Sequence, residues 1–309
     1  MLVAWMFPGQ GSQIVGMGTD LIKVAEVYHR FAEAESILGW SLVDLTEVEL
    51  KQTSYTQQAL FLVEAILSDL LKQNGCQFHA VAGDSLGEYG ALYCAGVFDF
   101  TTGLHLVKHR SRIMESHCGE GTMVAIIGFD RSHLEEVCQT TQGVIIANDN
   151  SPDQVVLSGI PKAIEIIIDA ITPSRVVPLS VAGAFHSPLM NDAAVEFDKI
   201  LENVVFYPAQ VPIYSNVTAI PTQDPVKLKT NLQQQINQPV RWHETLFNMH
   251  SNGIDELWEI GPGEVLSKLA KRFNRSLRRV NVATYQDIKN YADLCERKSI
   301  NSNDTAKDV

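Results

Sequence analysis

The sequence lacks the features that would place it in several large classes. Its five cysteines, Cys76, Cys94, Cys118, Cys138 and Cys295, are odd in number and widely spaced, with no C-x-x-C pair. That argues against a disulfide framework or a zinc site and for a reducing compartment, so we expect a cytoplasmic protein. No stretch of about 18 apolar residues occurs, which excludes an apolar membrane-spanning helix. The N-terminus, MLVAWMFPGQGSQ, is apolar but has no positively charged n-region. Pro8-Gly9 interrupts it, so it reads as a buried strand and not a signal peptide. Basic residues are in deficit, 24 against 36 acidic, giving a net charge of -12. Such a surface disfavours nucleic acid and anionic membranes as partners. His105 and His109 stand four apart but lack the acidic residue of an H-E-x-x-H motif, so they read as a solvated helix face. No metal, redox cofactor, internal repeat or low-complexity tract is expected.

What is present suits a globular α/β chain of 309 residues, 45% of them hydrophobic. Leu2 to Phe7 reads as a strand leading into the glycine turn PGQGSQ. Apolar spacing predicts a helix between Thr19 and Leu38, and a longer one in YTQQALFLVEAILSDLLKQNG that Asn74-Gly75 would cap. HAVAGDSLGEYGALYCAG reads as strand, sharp turn and helix, and TTGLHLVKHRSRIMESH as another helix. From Thr122 to Val181 the order becomes strand, helix, strand, strand, helix, strand, the ferredoxin-like split βαβ pattern. VPIYSNVT and GIDELWEIG read as further strands. The expected organisation is a discontinuous α/β-hydrolase-like subdomain (residues 1–121 and 187–290) with an inserted ferredoxin-like subdomain (122–186). A polar tail, 291–309, is expected to be unstructured.

The stretch Gly83-Asp84-Ser85-Leu86-Gly87 fits the G-x-S-x-G nucleophile elbow. A serine between a strand and a helix sits at a strained backbone angle, and a side chain at either flanking position would collide with its neighbours. The turn exposes the hydroxyl and leaves backbone N–H groups at a helix N-terminus, where an oxyanion can be held. A tight turn with a bystander serine is the alternative. A serine nucleophile needs a base. His186, in VAGAFHSPLM, stands out because small residues precede it and Pro188 follows it, at the exit from the small subdomain. A satisfied core histidine is the competing reading.

Several stretches at matching places resemble motifs of the malonyl-CoA:acyl carrier protein transacylases: FPGQGSQ, GDSLGEY, NDNSPDQVVLSG, AFHSPLM, QQINQPVRW and EIGPGEVLSKL. The resemblance covers about residue 3 to residue 275. AGVFDFTTGLHLVKHR and AFHS look most like the free-standing members that serve modular polyketide synthases in trans. Residue by residue, it implies that Ser85 is acylated and His186 is its general base. The backbone N–H groups of Gln10 and Leu86 would form the oxyanion hole. The carbonyl oxygen of Gln235 would orient His186, which removes the need for an acidic third partner. Arg110 would pair with the free carboxylate of the malonyl group through its guanidinium fork; a surface arginine beside Lys108 and Arg112 is the plainer reading. Phe185 would leave no room for an α-methyl branch.

Two departures from the family pattern stand out. Asp84 replaces the usual histidine beside the nucleophile, and Ser111 replaces the usual glycine after the arginine. An anion there could raise the pKa of nearby groups or slow the approach of an anionic substrate, but Asp84 is expected to face solvent or make a local hydrogen bond. The resemblance implies a monomeric enzyme that moves malonyl from coenzyme A to an acyl carrier protein. The alternatives are an acyl hydrolase of the same family and a non-catalytic docking subunit of a synthase.

Overall fold

The structure, a computed structural model, describes residues 2–292. In chain order its main elements are β1 (Leu2–Phe7), α1 (Tyr28–Leu38), α2 (Thr53–Gln73), β2 (Ala80–Gly83), α3 (Gly87–Cys94) and α4 (Phe100–Ser116). Then come β3 (Thr122–Ile127), α5 (Arg131–Thr140), β4 (Val144–Ser151), β5 (Gln154–Gly159), α6 (Pro161–Ile171) and β6 (Arg175–Pro178). The chain closes with α7 (Asn191–Leu201), β7 (Ile213–Tyr214), β8 (Pro221–Thr222), α8 (Pro225–Gln234), α9 (Trp242–Ser251), β9 (Ile254–Ile260), α10 (Val265–Phe273) and β10 (Arg278–Val282).

Two sheets organise these elements. The larger has the order β10-β9-β1-β2-β7-β8 and is parallel except where β8 returns against β7. Its central strand β1 is an unbroken apolar run because both faces are covered. Trp5 and Phe7 point into the core shared with α2, α3 and α4, while Ala4 and Met6 point into the one shared with α9 and α10. The smaller sheet, β4-β5-β3-β6, is antiparallel throughout. With α5 and α6 it is the ferredoxin-like arrangement read from the sequence. The smaller sheet is tied to the loop between α8 and α9, where Val240 donates to the Ala147 carbonyl at 2.8 Å and accepts from the Asp149 N–H at 2.9 Å.

Some expectations need correction. The first helix begins at Tyr28; the segment before it forms short 3₁₀ turns. The strand read in VPIYSNVT stops at Tyr214, because Ser215 and Asn216 turn inward toward the serine elbow. The expected unstructured tail is helical at its start: residues 285–292 form a helix, and Tyr291 tilts against Trp258 at 5.4 Å. The rest of that tail lies outside the described residues. Cys94, Cys118 and Cys138 are free thiols, whereas Cys76 is disulfide-bonded, a link that spatial proximity and not sequence spacing decides. Among the described residues no helix is long and apolar enough to cross a membrane.

Beneath the elbow, Glu64 of α2 is fully buried with neither carboxylate oxygen hydrogen-bonded. Gly90 of α3 makes room for it: a Cβ there would lie 2.5 Å from Glu64 Oε2. Burial, and secondarily the charge of Glu259, raise the Glu64 pKa well above its usual value. The native chain therefore holds a proton here that the unfolded chain releases first as pH rises, so this group erodes stability above about pH 4.5. Glu64→Gln cannot ionise. Its melting temperature is expected to fall less between pH 5 and pH 8 than that of the parent, as read by scanning calorimetry; parallel pH profiles would show that Glu64 is ionised in the native state.

Candidate active site

The end of β2 and the start of α3 are held so close together that only glycine fits at either side of the turn. A Cβ on Gly83 would lie 1.9 Å from the backbone of Gly87, and one on Gly87 would lie 1.9 Å from the carbonyl oxygen of Phe7. Between them Ser85 adopts a left-handed backbone with φ 51°, a conformation that costs a non-glycine residue free energy. Asn216 compensates. Its Oδ1 accepts from the Ser85 N–H at 2.8 Å, and its Nδ2 donates to the Gly83 carbonyl at 2.5 Å. Residue 216 thus clamps the turn from the segment that follows β7, the neighbour of β2 in the sheet.

His186 meets Ser85 from 101 residues away, its Nε2 2.6 Å from the Ser85 hydroxyl. It too has a left-handed backbone, φ 57°, and its N–H donates to the Ile236 carbonyl. The His186 Nδ1 lies 2.8 Å from the carbonyl oxygen of Gln235. A carbonyl can only accept, so Nδ1 carries the proton and Nε2 offers its lone pair to the serine. Burial, and then the charge of Arg110, push the His186 pKa down to about 4. The imidazole is therefore neutral across the physiological range and ready to take a proton.

Behind this pair lies a polar network that the sequence reading did not find. The Gln235 side chain donates through Nε2 to the Ser85 carbonyl at 2.8 Å and to Glu88 Oε2 at 2.7 Å. Its Oε1 accepts from Arg110 at 3.0 Å. Arg110 donates as well to Gln57 Oε1 at 2.7 Å and to the Ser85 hydroxyl at 3.1 Å. Glu88 is buried among these groups, which raises its pKa to about 7 despite the hydrogen bonds from Gln235 and the Asn216 N–H. Gln57 left a trace in the sequence, since it interrupts the apolar face of α2. Asn216 left none.

Arg110 is fully buried, not exposed on α4. Burial pulls its pKa down, while Tyr89, whose ring lies 5.3 Å from the guanidinium, and Glu88 push it up. It forms no salt bridge with a carboxylate among the described residues, and its Nε has no hydrogen-bond partner. All its acceptors are neutral. Gln57 and Ser85 stand between it and the cleft.

The cleft itself has a volume of about 220 Å³ and lies between the two sheets. Ser85, His186 and Phe185 line it, together with Gln10 of the glycine loop, Gln57 of α2 and Asn148 of β4. Neither the Gln10 nor the Leu86 N–H has a hydrogen-bond acceptor among the described residues. Phe185 is 5% exposed and forms part of the apolar wall. Asp84, expected to face solvent or make a local hydrogen bond, is half-buried. It lines the cleft, and its Oδ1 is closed off from water. His105 and His109 are exposed, and among the described residues no group of three His, Cys, Asp or Glu is placed to hold a metal.

The clamp on the turn is testable without reference to activity. Asn216→Ala leaves a buried N–H and a buried carbonyl unpaired, each costing about 1–3 kcal/mol. A lower urea midpoint is expected, and Asn216→Asp, which keeps only the acceptor, should not restore it. An unchanged midpoint in Asn216→Ala would show that the turn holds itself.

Comparison with known proteins agrees with the geometry. Residues 4–298 match the acyl transferase domain family. The malonyl CoA-acyl carrier protein transacylase of Synechocystis sp. is 47% identical over 291 residues, covering 93% of this chain and 99% of that protein. The crystal structure of a Synechocystis malonyl-CoA:ACP transacylase superimposes with a TM-score of 0.92 at 46% identity, covering 94% of this chain and all of that one. A polyketide biosynthesis malonyl CoA-acyl carrier protein transacylase, BaeC of Bacillus velezensis, is 38% identical over 88% of this chain and 96% of its own length. With a family match across nearly the whole chain and a relative this similar over nearly its full length, the chain belongs to the acyl transferase domain family.

Proposed function

We propose that the protein is a malonyltransferase that moves a malonyl group from coenzyme A to the phosphopantetheine thiol of an acyl carrier protein through a malonyl-Ser85 ester. One observation carries the choice of acyl group. Arg110 is a buried cation whose hydrogen-bond partners are all neutral. A buried charge without a counter-ion is costly. A substrate with a terminal carboxylate supplies the missing anion by replacing the Gln57 or Ser85 oxygen at the guanidinium, and a charge-assisted bond is about twice as strong as the neutral one it displaces. Phe185 restricts the space beside the acyl chain. An acyl hydrolase would have no such carboxylate to pair, and a docking subunit would need neither the His186–Ser85 contact nor the strained turn.

The chemistry follows from the placement of protons. His186 Nε2 takes the Ser85 hydroxyl proton as Oγ attacks the thioester carbonyl, and the Gln235 carbonyl holds the resulting imidazolium by its Nδ1–H. The oxyanion falls to the N–H groups of Gln10 and Leu86. On collapse the C–S bond breaks and the imidazolium returns its proton to the departing coenzyme A sulfur. The carrier thiol then attacks the ester by the same route in reverse. The acidic surface leaves carrier selection to local features. The polyketide setting suggested by AFHS and the segment around Arg110 finds support in the BaeC similarity. A comparison of fatty-acid and polyketide carrier proteins as acceptors decides it.

Intact-protein mass spectrometry gives the first test. Malonyl-CoA is expected to add one malonyl group, which a holo carrier protein removes; Ser85→Ala should gain no mass, and acylation of that variant would move the nucleophile elsewhere. His186→Ala is expected to slow acylation by about 10²–10⁴-fold. In the parent, the acid limb of acylation should lie near pH 4, where His186 gains its proton; a limb near 6.5 would mean that the base is exposed or is another residue.

Arg110→Ala leaves the side-chain oxygens of Gln57 and Gln235 without their donor and removes the anion site. Losing one half of a buried charge pair costs about 2–5 kcal/mol, so malonyl-CoA should react about 30- to several-thousand-fold more slowly. Acetyl-CoA should lose little, and Arg110→Lys should rescue only in part because an ammonium lacks the fork. An unchanged preference for malonyl over acetyl would remove Arg110 from substrate recognition.

A further inference from the structure

Asp84 is the cleft residue that the acyl-transfer steps leave without a task. It sits between the end of β2 and Ser85, with its side chain against the glycine loop. A Cβ on Gly9 would come within 3.3 Å of Asp84 Oδ2 and 2.5 Å of the Asp84 carbonyl oxygen, so the loop fixes the carboxyl in place. Its Oδ1 is shut off from water and has no hydrogen-bond partner. Asn148 and Asn150 of β4 line the same cleft and are neutral, as is Gln10 of the loop. Between the two asparagines, Asp149 leaves the cleft to pair with Arg131. The titratable or charged groups around Asp84 are therefore few: Arg110 from α4, Glu88 from α3 and His186. At α10, Glu264, beside the cleft residue Val265, pairs with Lys268, and Arg272 donates to Gln154 of the cleft wall.

We propose that Asp84 is a specificity-determining residue that shares one proton with the substrate carboxylate, so that a malonyl group enters this cleft together with a proton from solvent while an uncharged acyl group enters without one. The inference rests on the malonyl reading given above. Two carboxylates confined to about 220 Å³ in one partly closed cleft cannot both stay ionised at low cost, and the pair retains a proton. The substrate carboxylate keeps Arg110. Asp84 holds the proton, which removes the repulsion and satisfies one of its own oxygens as a donor. Burial already brings Asp84 part of the way, raising its pKa to about 6 although Asn148 and Arg110 pull it down. A second anion in the cleft raises it further. When the acyl group leaves for the carrier thiol, the proton returns to solvent and nothing else changes hands.

The consequence is a dependence on pH that differs between acyl groups. Asp84 is neutral below about pH 6 and ionised above it. For malonyl-CoA, kcat/KM is expected to fall by about tenfold per pH unit above that value, and acetyl-CoA should show no such limb. Acetyl-CoA carries the same nucleotide and phosphates, so it controls for their ionisation. In Asp84→Asn the alkaline limb for malonyl-CoA should disappear, and its ratio of rates at pH 8 and pH 5.5 should approach that for acetyl-CoA. Ser85→Ala, which binds without turning over, should take up a proton from a weakly buffered dye solution when malonyl-CoA is added at pH 7, and release or take up none with acetyl-CoA. An alkaline limb that persists in Asp84→Asn, or that acetyl-CoA shares, overturns the proposal, as does malonyl binding without proton uptake. Failure of the parent to form malonyl-Ser85 at any pH overturns the functional reading itself and the proposal with it. Should Asp84→Asn fold poorly, Asp84→Ser gives the same reading of the limb.

Discussion

The site is built around the left-handed backbone of Ser85, which would be unfavourable anywhere else in the chain. Gly83 lets β2 approach α3, and Gly87 lets α3 approach the end of β1, until a single methyl group on either would overlap backbone atoms. Asn216 then supplies the acceptor and the donor that the distorted turn cannot find locally. Because that turn is fixed, the Ser85 hydroxyl has one place to be. His186 can be positioned against it through two backbone carbonyls, those of Ile236 and Gln235, without any carboxylate touching the imidazole. A second left-handed residue, His186 itself, shows the same strategy: local strain accepted where the surrounding hydrogen bonds determine the geometry.

The charges in the interior follow from this arrangement. A carboxylate on His186 would raise its pKa; the neutral Gln235 carbonyl and the nearby Arg110 leave it low, so the base is unprotonated when substrate arrives. Glu88 reaches Arg110 only through Gln235 and does not touch it, which leaves the guanidinium without a contacting anion. Gln235 therefore has two functions that belong to different parts of one residue: its backbone sets the histidine tautomer and its side chain joins Glu88, Arg110 and the Ser85 carbonyl. Replacing that side chain would disturb the charge arrangement while leaving the tautomer contact in place.

Much of this was legible before the fold was known. Gly83 and Gly87 around a serine announce a turn whose sterics are local, and the structure contains that turn for that reason. The alternation of strands and helices from Thr122 to Val181 fixed the topology of the smaller sheet, since periodicity distinguishes a strand from a helix without reference to neighbours. The strand at VPIYSNVT was read too long because its apolar pattern continues past Tyr214, while the chain leaves the sheet to bring Asn216 to the elbow. The helix over residues 285–292 escapes a sequence reading because its anchors are long-range: Ile288 buries in the main core, the Tyr285 N–H donates to Asp20 and Tyr291 meets Trp258.

By itself the sequence determined the elements that rest on local sterics and periodicity: the elbow, the glycine loop, the split βαβ order and the chemical types of the residues that approach the serine. The tertiary structure alone decided their electrical state. Whether Arg110 is a surface charge or a buried cation depends on α2, α3 and the Gln235 segment closing over it. How far Asp84 is shut off from water depends on Gly9 and on the cleft wall that Asn148 supplies from the other sheet. Proton affinity is set by desolvation and by charges within a few ångströms, and those neighbours come from positions up to 150 residues apart in the chain.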